Sequence, residues 1–145
     1  MQNQRPSLFR VISVDYLSLL STLFPITFWI FSAYYFYIGD DSLQFFVLLS
    51  TAISVVGIPL LFWRYRIISS AFDDGTEAQG TIIGVSFFRG RGRVNYAYSF
   101  QGQKLVSGNT INRTKYTKDL TNGQQVTILI DRNDPKRAFV KEIYL

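Results

Sequence analysis

Neither cysteine nor histidine occurs in the chain. Without thiols there is no disulfide framework, no cysteine nucleophile and no sulfur ligand for zinc. Without imidazole, the commonest acid–base group and metal ligand of enzymes is missing. Most enzyme classes are thereby disfavoured, and the residues point to no cofactor and no metal. Charge is also absent over two long stretches: Tyr16 to Ile38 and Leu43 to Trp63 carry no charged side chain, and only Gly39-Asp40-Asp41-Ser42 separates them. A bilayer's hydrocarbon core is about 30 Å thick and takes about 20 apolar residues of helix, so each run is long enough to cross. The expectation is a transmembrane helical hairpin over 16–66, with spans at about 16–38 and 43–63.

Formal net charge is +5, and the excess lies after the spans, where 13 of the 15 Lys/Arg but only 7 of the 10 Asp/Glu fall. A basic module beside a membrane is attracted first to anionic lipid headgroups and only second to nucleic acid. Residues 1–15 resemble the n-region of a signal peptide. The apolar run behind them is too long for a typical h-region, lacks a small-x-small cleavage site and leads into a second span, which predicts an uncleaved anchor. Arg5 and Arg10 precede the first span and Arg64 and Arg66 follow the second, whereas the turn holds Asp40 and Asp41. That asymmetry puts both termini in the cytoplasm of a multi-pass protein of the cell membrane.

Small residues recur along both spans: Ser18, Thr22, Pro25 and Ser32 in the first, Ser50, Ser54 and Gly57 in the second. In lipid, close packing of backbones drives helix association, so these faces are expected to meet. The four-residue connection forces the spans antiparallel, with Asp40, Asp41 or Ser42 placed to cap the second helix.

Arg64 to Phe72 keeps helical character, Asp73-Asp74-Gly75 breaks it, and 67–76 is expected as a juxtamembrane linker. From Glu77 the apolar period changes to two. The expected strands are Glu77–Phe88, Arg93–Phe100, Gln103–Ile111, Gln125–Ile130 and Arg137–Ile143, with a hairpin turn at Gln101-Gly102 and a short helical turn within 115–120. Five short strands in 77–145 predict a small antiparallel β-barrel, since so few residues cannot fill two large sheets. SH3-like and OB-like barrels both fit.

Arg89-Gly90-Arg91-Gly92-Arg93 is the most unusual polar stretch. Alternate arginines on a strand end project to one side and suit phosphate, so Arg89, Arg91 and Arg93 are candidates for contact with anionic lipid or an acidic protein partner. A merely solvated hairpin tip is the plainer reading, and nucleic acid the least favoured. Tyr96, Tyr98 and Phe100 alternate with polar residues and are expected in the barrel core rather than as a base-stacking platform. Asp73, Asp74 and Glu77 lack the spacing of a calcium loop. Asp131 and Asp134 are expected to hold a turn.

Gly80-Thr81-Ile82, Arg91-Gly92-Arg93-Val94-Asn95-Tyr96, Gly123-Gln124-Gln125-Val126-Thr127-Ile128 and Asp131-Arg132-Asn133-Asp134-Pro135 give the chain a resemblance to a widespread bacterial family of unknown function. Its members join two transmembrane helices to a C-terminal small β-barrel domain. The likeness covers roughly residues 76–140 and the two spans, and it departs at Ile130-Asp131-Arg132, where the family pattern has Tyr-Asp-Pro. It implies the architecture and carries over no catalytic or binding residue. A second resemblance, in architecture alone, is to membrane-anchored OB-type modules that accompany membrane proteases. The function expected is a non-enzymatic adaptor that presents a basic barrel at the cytoplasmic face, with membrane lipids and a membrane or cytoplasmic protein as partners and a homo-oligomer compatible. The alternatives are an accessory subunit of a larger membrane complex and, with no site to be assembled, an enzyme acting on lipid or envelope precursor.

Overall fold

The computed structural model describes residues 5–145. Helix α1 (Leu8–Val14) breaks at Asp15 into α2 (Tyr16–Ile38), and α2 ends at Gly39, whose φ of 67° is the left-handed conformation that closes a helix. Asp40 Oδ1 accepts from the Ser42 amide in the turn. Helix α3 (Leu43–Asp74) returns antiparallel to α2. Both long helices are apolar enough to cross a membrane, and only 22% and 11% of their most apolar windows are buried. A core helix of a soluble protein would be mostly covered; these expose Phe24, Ile30, Phe45, Leu48 and Val55.

Five strands follow: β1 (Thr76–Phe88), β2 (Arg91–Phe100), β3 (Gln103–Asn112), β4 (Gln125–Ile130) and β5 (Ala138–Val140). They form one antiparallel sheet in the order β3-β2-β1-β4-β5, curled into a nearly closed barrel. The fold is the expected one: apolar helices and then a small five-stranded barrel. Strand β1 serves two neighbours, pairing Thr76–Thr81 with β4 and Gly80–Phe88 with β2. The sheet folds over at the overlap. A Cβ on Gly80 would lie 2.5 Å from Ile128 Cγ1, so only glycine fits there.

The edges β3 and β5 meet through side chains. Tyr96 Oη shares its proton between the Ala138 carbonyl and Asn109 Oδ1, at 2.5 and 2.6 Å. Tyr98 Oη donates to the Pro135 carbonyl and Ser107 Oγ to that of Lys136. Tyr96 and Tyr98 are therefore core residues, as their alternation predicts, with their polar ends sealing the seam.

Two segments differ from expectation, the last strand and the linker. The last strand stops at Val140 and Lys141–Tyr144 turns into a short helix, α4, because Tyr144 packs against Phe72 and Phe139 and Glu142 Oε1 takes the Thr127 amide. The crossing holds the expected short helical turn, with the Lys118 amide on the Thr114 carbonyl at 3.0 Å, and is pinned by Thr117, whose hydroxyl donates to the Asn112 carbonyl and accepts from the Thr114 amide. Residues 67–74 continue α3 without slack, burying Ile68, Ala71 and Phe72 in the barrel core beside Val11 and Val14 of α1. The helical hairpin thus runs on past the apolar spans and plugs the barrel.

Candidate functional site

Where spans and barrel join, the chain buries a charge pair. The Asp15 carboxylate has no exposed surface; it accepts from Arg64 Nη2 at 2.8 Å, from Arg64 Nε at 3.2 Å, and from both the amide and hydroxyl of Ser18. Asp15 also stands in an extended conformation between two helices, so one side chain caps α2 and ties it to α3. Backbone pairing of Asp15 with Ile111 fixes the same corner to β3. Below the pair, Arg5 bonds Asp73 at 2.6 Å, which keeps α1 alongside the end of α3.

Beside this joint opens a cleft of about 480 Å³, bounded by Tyr16 and Leu17 of α2, Arg64, the β3 residues Ser107–Thr110, and Lys136–Phe139 at the seam. Three cations line it and one carboxylate, already fully bonded, lies in its floor. Behind the cleft, burial pushes the phenols of Tyr96 and Tyr144 well above the ordinary tyrosine range, and the charge of Asp15 adds to the shift at Tyr144. Tyr144 Oη is buried without a hydrogen-bond partner. Ser107 Oγ, in the cleft wall, donates to the Lys136 carbonyl. Among the described residues, no three Asp/Glu gather to hold a metal ion.

The chain matches no protein family, no curated protein and no solved structure. The two apolar helices and the barrel implied by the resemblance to a bacterial two-span family are present, while membership of that family has no support from these comparisons.

The arginines singled out in the sequence are neighbours but not a single cradle. Arg89 and Gly90 form the tight β1–β2 turn, with φ of 48° and 85°, and Arg89 lies over the exposed Phe88 ring. Arg91 reaches Tyr16, its Nη1 3.5 Å from the phenol oxygen, while Arg93 Nε donates to Asn95 Oδ1. The hairpin tip therefore stands beside the first residue of α2. Across the hairpin the Ser32 and Ser50 hydroxyls bond at 2.8 Å and Trp29 Nε1 donates to Ser54, whereas Ser18 is buried with its hydroxyl on Asp15 and the half-buried Thr22 bonds back to the Ser18 carbonyl of its own helix. At Gly57 a Cβ would lie 3.0 Å from the Ser21 carbonyl oxygen and 3.1 Å from Pro25 Cγ.

Asp15 and Arg64 carry the joint; in the sequence Arg64 counts only as a flanking positive charge and Asp15 has no assigned role. The turn at 39–42 brings the two ends of the hairpin within a helical turn of each other, and the tertiary structure decides which side chains meet.

Proposed function

We propose that this chain is a non-enzymatic integral membrane protein that holds a small basic barrel fixed at the cytoplasmic face of the cell membrane as a docking module for a protein partner. The observation that carries the reading is the unbroken α3, which leaves the apolar span and ends inside the barrel core, locked to α2 by Asp15–Arg64. Such a joint presents the barrel in one orientation to the bilayer, which restricts a partner search to the membrane plane and raises effective concentration. The cytoplasmic assignment draws on Arg5, Arg10, Arg64 and Arg66 at one end of the hairpin and Asp40 and Asp41 at the other. Arg89, Arg91 and exposed Phe88, held beside Tyr16, favour contact of the hairpin tip with anionic headgroups. Of the two barrel types, the strand order supports the OB-like one, in which β3 closes on β5. A nucleic-acid role loses its platform because Tyr96 and Tyr98 are buried.

The alternative, an accessory subunit held by its spans, draws on the broad exposed apolar surface of α3 at Leu48, Val55 and Val56. Photocrosslinkers at Gln103 in the barrel and Leu48 in the span, activated in intact membranes, separate the two. Docking through the barrel gives a discrete protein adduct from Gln103 and lipid only from Leu48; the reverse pattern, with a large assembly persisting in mild detergent, establishes the subunit. Impermeant labelling of a cysteine at Gln101 but not at Ser42 in intact cells would overturn the orientation.

A further inference from the structure

The polar cleft has an apolar neighbour. Along the lower face of the hairpin runs a groove of about 600 Å³, walled by Leu20, Phe24 and Phe28 of α2 and Ala52 and Val56 of α3, with Gly57 in its floor. Leu17 lines both the cleft and the groove, which places them side by side at the start of the span. From Leu17 to Phe28 the groove follows eleven residues of helix, about 16 Å at 1.5 Å per residue. That is about the depth of one leaflet, half of a 30 Å hydrocarbon core.

Of the three cations in the cleft lining, Arg64 is bonded to Asp15 and Arg137 stands near Asp131 and Asp134. Lys136 is exposed at its rim, and Arg137 sits 3.6 and 3.8 Å from Asp131 and Asp134, longer than the about 2.7–2.9 Å of a committed charge-assisted bond. Both retain donors for an anion. A partner helix would fill the groove and leave these cations unmet, and a soluble anion would occupy the cleft and leave the groove to bulk lipid. A single amphiphile with an anionic head meets both.

We propose that cleft and groove together bind one anionic phospholipid of the leaflet next to the barrel, its phosphate beside Lys136 and Arg137 and one acyl chain along Phe24, Phe28 and Val56. The site rests on the membrane placement proposed above. It is distinct from the arginine hairpin: none of Arg89, Arg91 and Arg93 lines the cleft.

The test uses the full chain, delipidated in neutral detergent, with native mass spectrometry reading retained lipid. Phosphatidylglycerol is expected to be held roughly 30-fold more tightly than phosphatidylcholine, the weight of two basic side chains at an anionic surface. Lys136→Ser with Arg137→Ser should erase that preference, while Arg89→Gln, Arg91→Gln and Arg93→Gln together should keep it. Ala52→Phe, which projects a ring into the groove from an exposed position, should weaken retention of both lipids without lowering the melting midpoint. Excess glycerol phosphate should not displace phosphatidylglycerol. Equal retention of the two lipids by the wild-type chain overturns the proposal, as does a preference that survives the Lys136/Arg137 change or follows the hairpin arginines. Displacement by glycerol phosphate, or indifference to Ala52→Phe, overturns the lipid as occupant. Failure of the membrane placement reads out separately, as release of the chain from membranes by alkaline carbonate without detergent.

Discussion

Arg64→Met removes the cation from a carboxylate that has nowhere else to turn. Asp15 is fully buried and Arg64 is 19% exposed at its side chain, so solvent screens the pair little. The substitution deletes contacts at 2.8, 3.2 and 3.2 Å and leaves Asp15 with the two Ser18 donors alone. Breaking a buried pair from one side costs about 3–5 kcal/mol, because the remaining charge keeps its desolvation without its partner. Loss of the guanidinium 5.6 Å from the Phe139 ring adds up to about 1 kcal/mol. The expected loss is therefore about 4 kcal/mol. Asp15→Asn in the same chain should recover more than half of it, since asparagine still caps α2 and no charge is left buried. Urea unfolding of the barrel in micelles, followed by circular dichroism of the strands, measures all four corners of the cycle. A loss below about 1 kcal/mol for Arg64→Met, or a double variant less stable than the single, would refute the claim that this pair joins spans to barrel.

Gly57→Leu should destabilise the hairpin by about 1–3 kcal/mol, as any Cβ there presses on the Ser21 backbone carbonyl, while Leu48→Ala, facing outward, should change little; melting in detergent compares them. Alkaline pH should weaken the barrel: the folded phenols of Tyr96 and Tyr144 titrate above the unfolded value near 10, so their contribution is complete below pH about 10 and falls as pH rises beyond it, by up to about 1.4 kcal/mol per unit for each. Phenolate absorbance measured against strand signal checks this, and ionisation without unfolding would contradict it. A fragment from Asp73 to Leu145 should not fold alone, because it lacks Val11, Val14, Ile68 and Phe72, each worth about 1.5–3 kcal/mol of burial against a total stability of about 5–15 kcal/mol. A dispersed amide spectrum from that fragment would show the helical plug to be dispensable.

Two uncharged runs and a four-residue turn determined the helical hairpin, because a membrane-length helix needs only composition and length. Period-two alternation likewise determined four of the five strands and the inward face at Tyr96 and Tyr98, since a strand's two faces are written in its residue order. Those are local properties. The tertiary structure decided what lies between them. Residues 8–14 and 67–74 read as parts of an N-terminal segment and a juxtamembrane linker, yet they plug the barrel. Arg64 reads as a flanking charge and Asp15 as the end of the N-terminal segment, yet they form its fixed joint. Arg137–Ile143 read as a strand, but the need to bury Tyr144 against Phe72 bent it into a helical turn. The cleft exists only because Leu17, Ser107 and Lys136, each unremarkable in its own segment, are brought together by the closure of β5 onto β3. Burial and pairing across 49 residues, as for Asp15 and Arg64, depend on the register of the whole hairpin and the curl of the sheet, and no short window of sequence contains either.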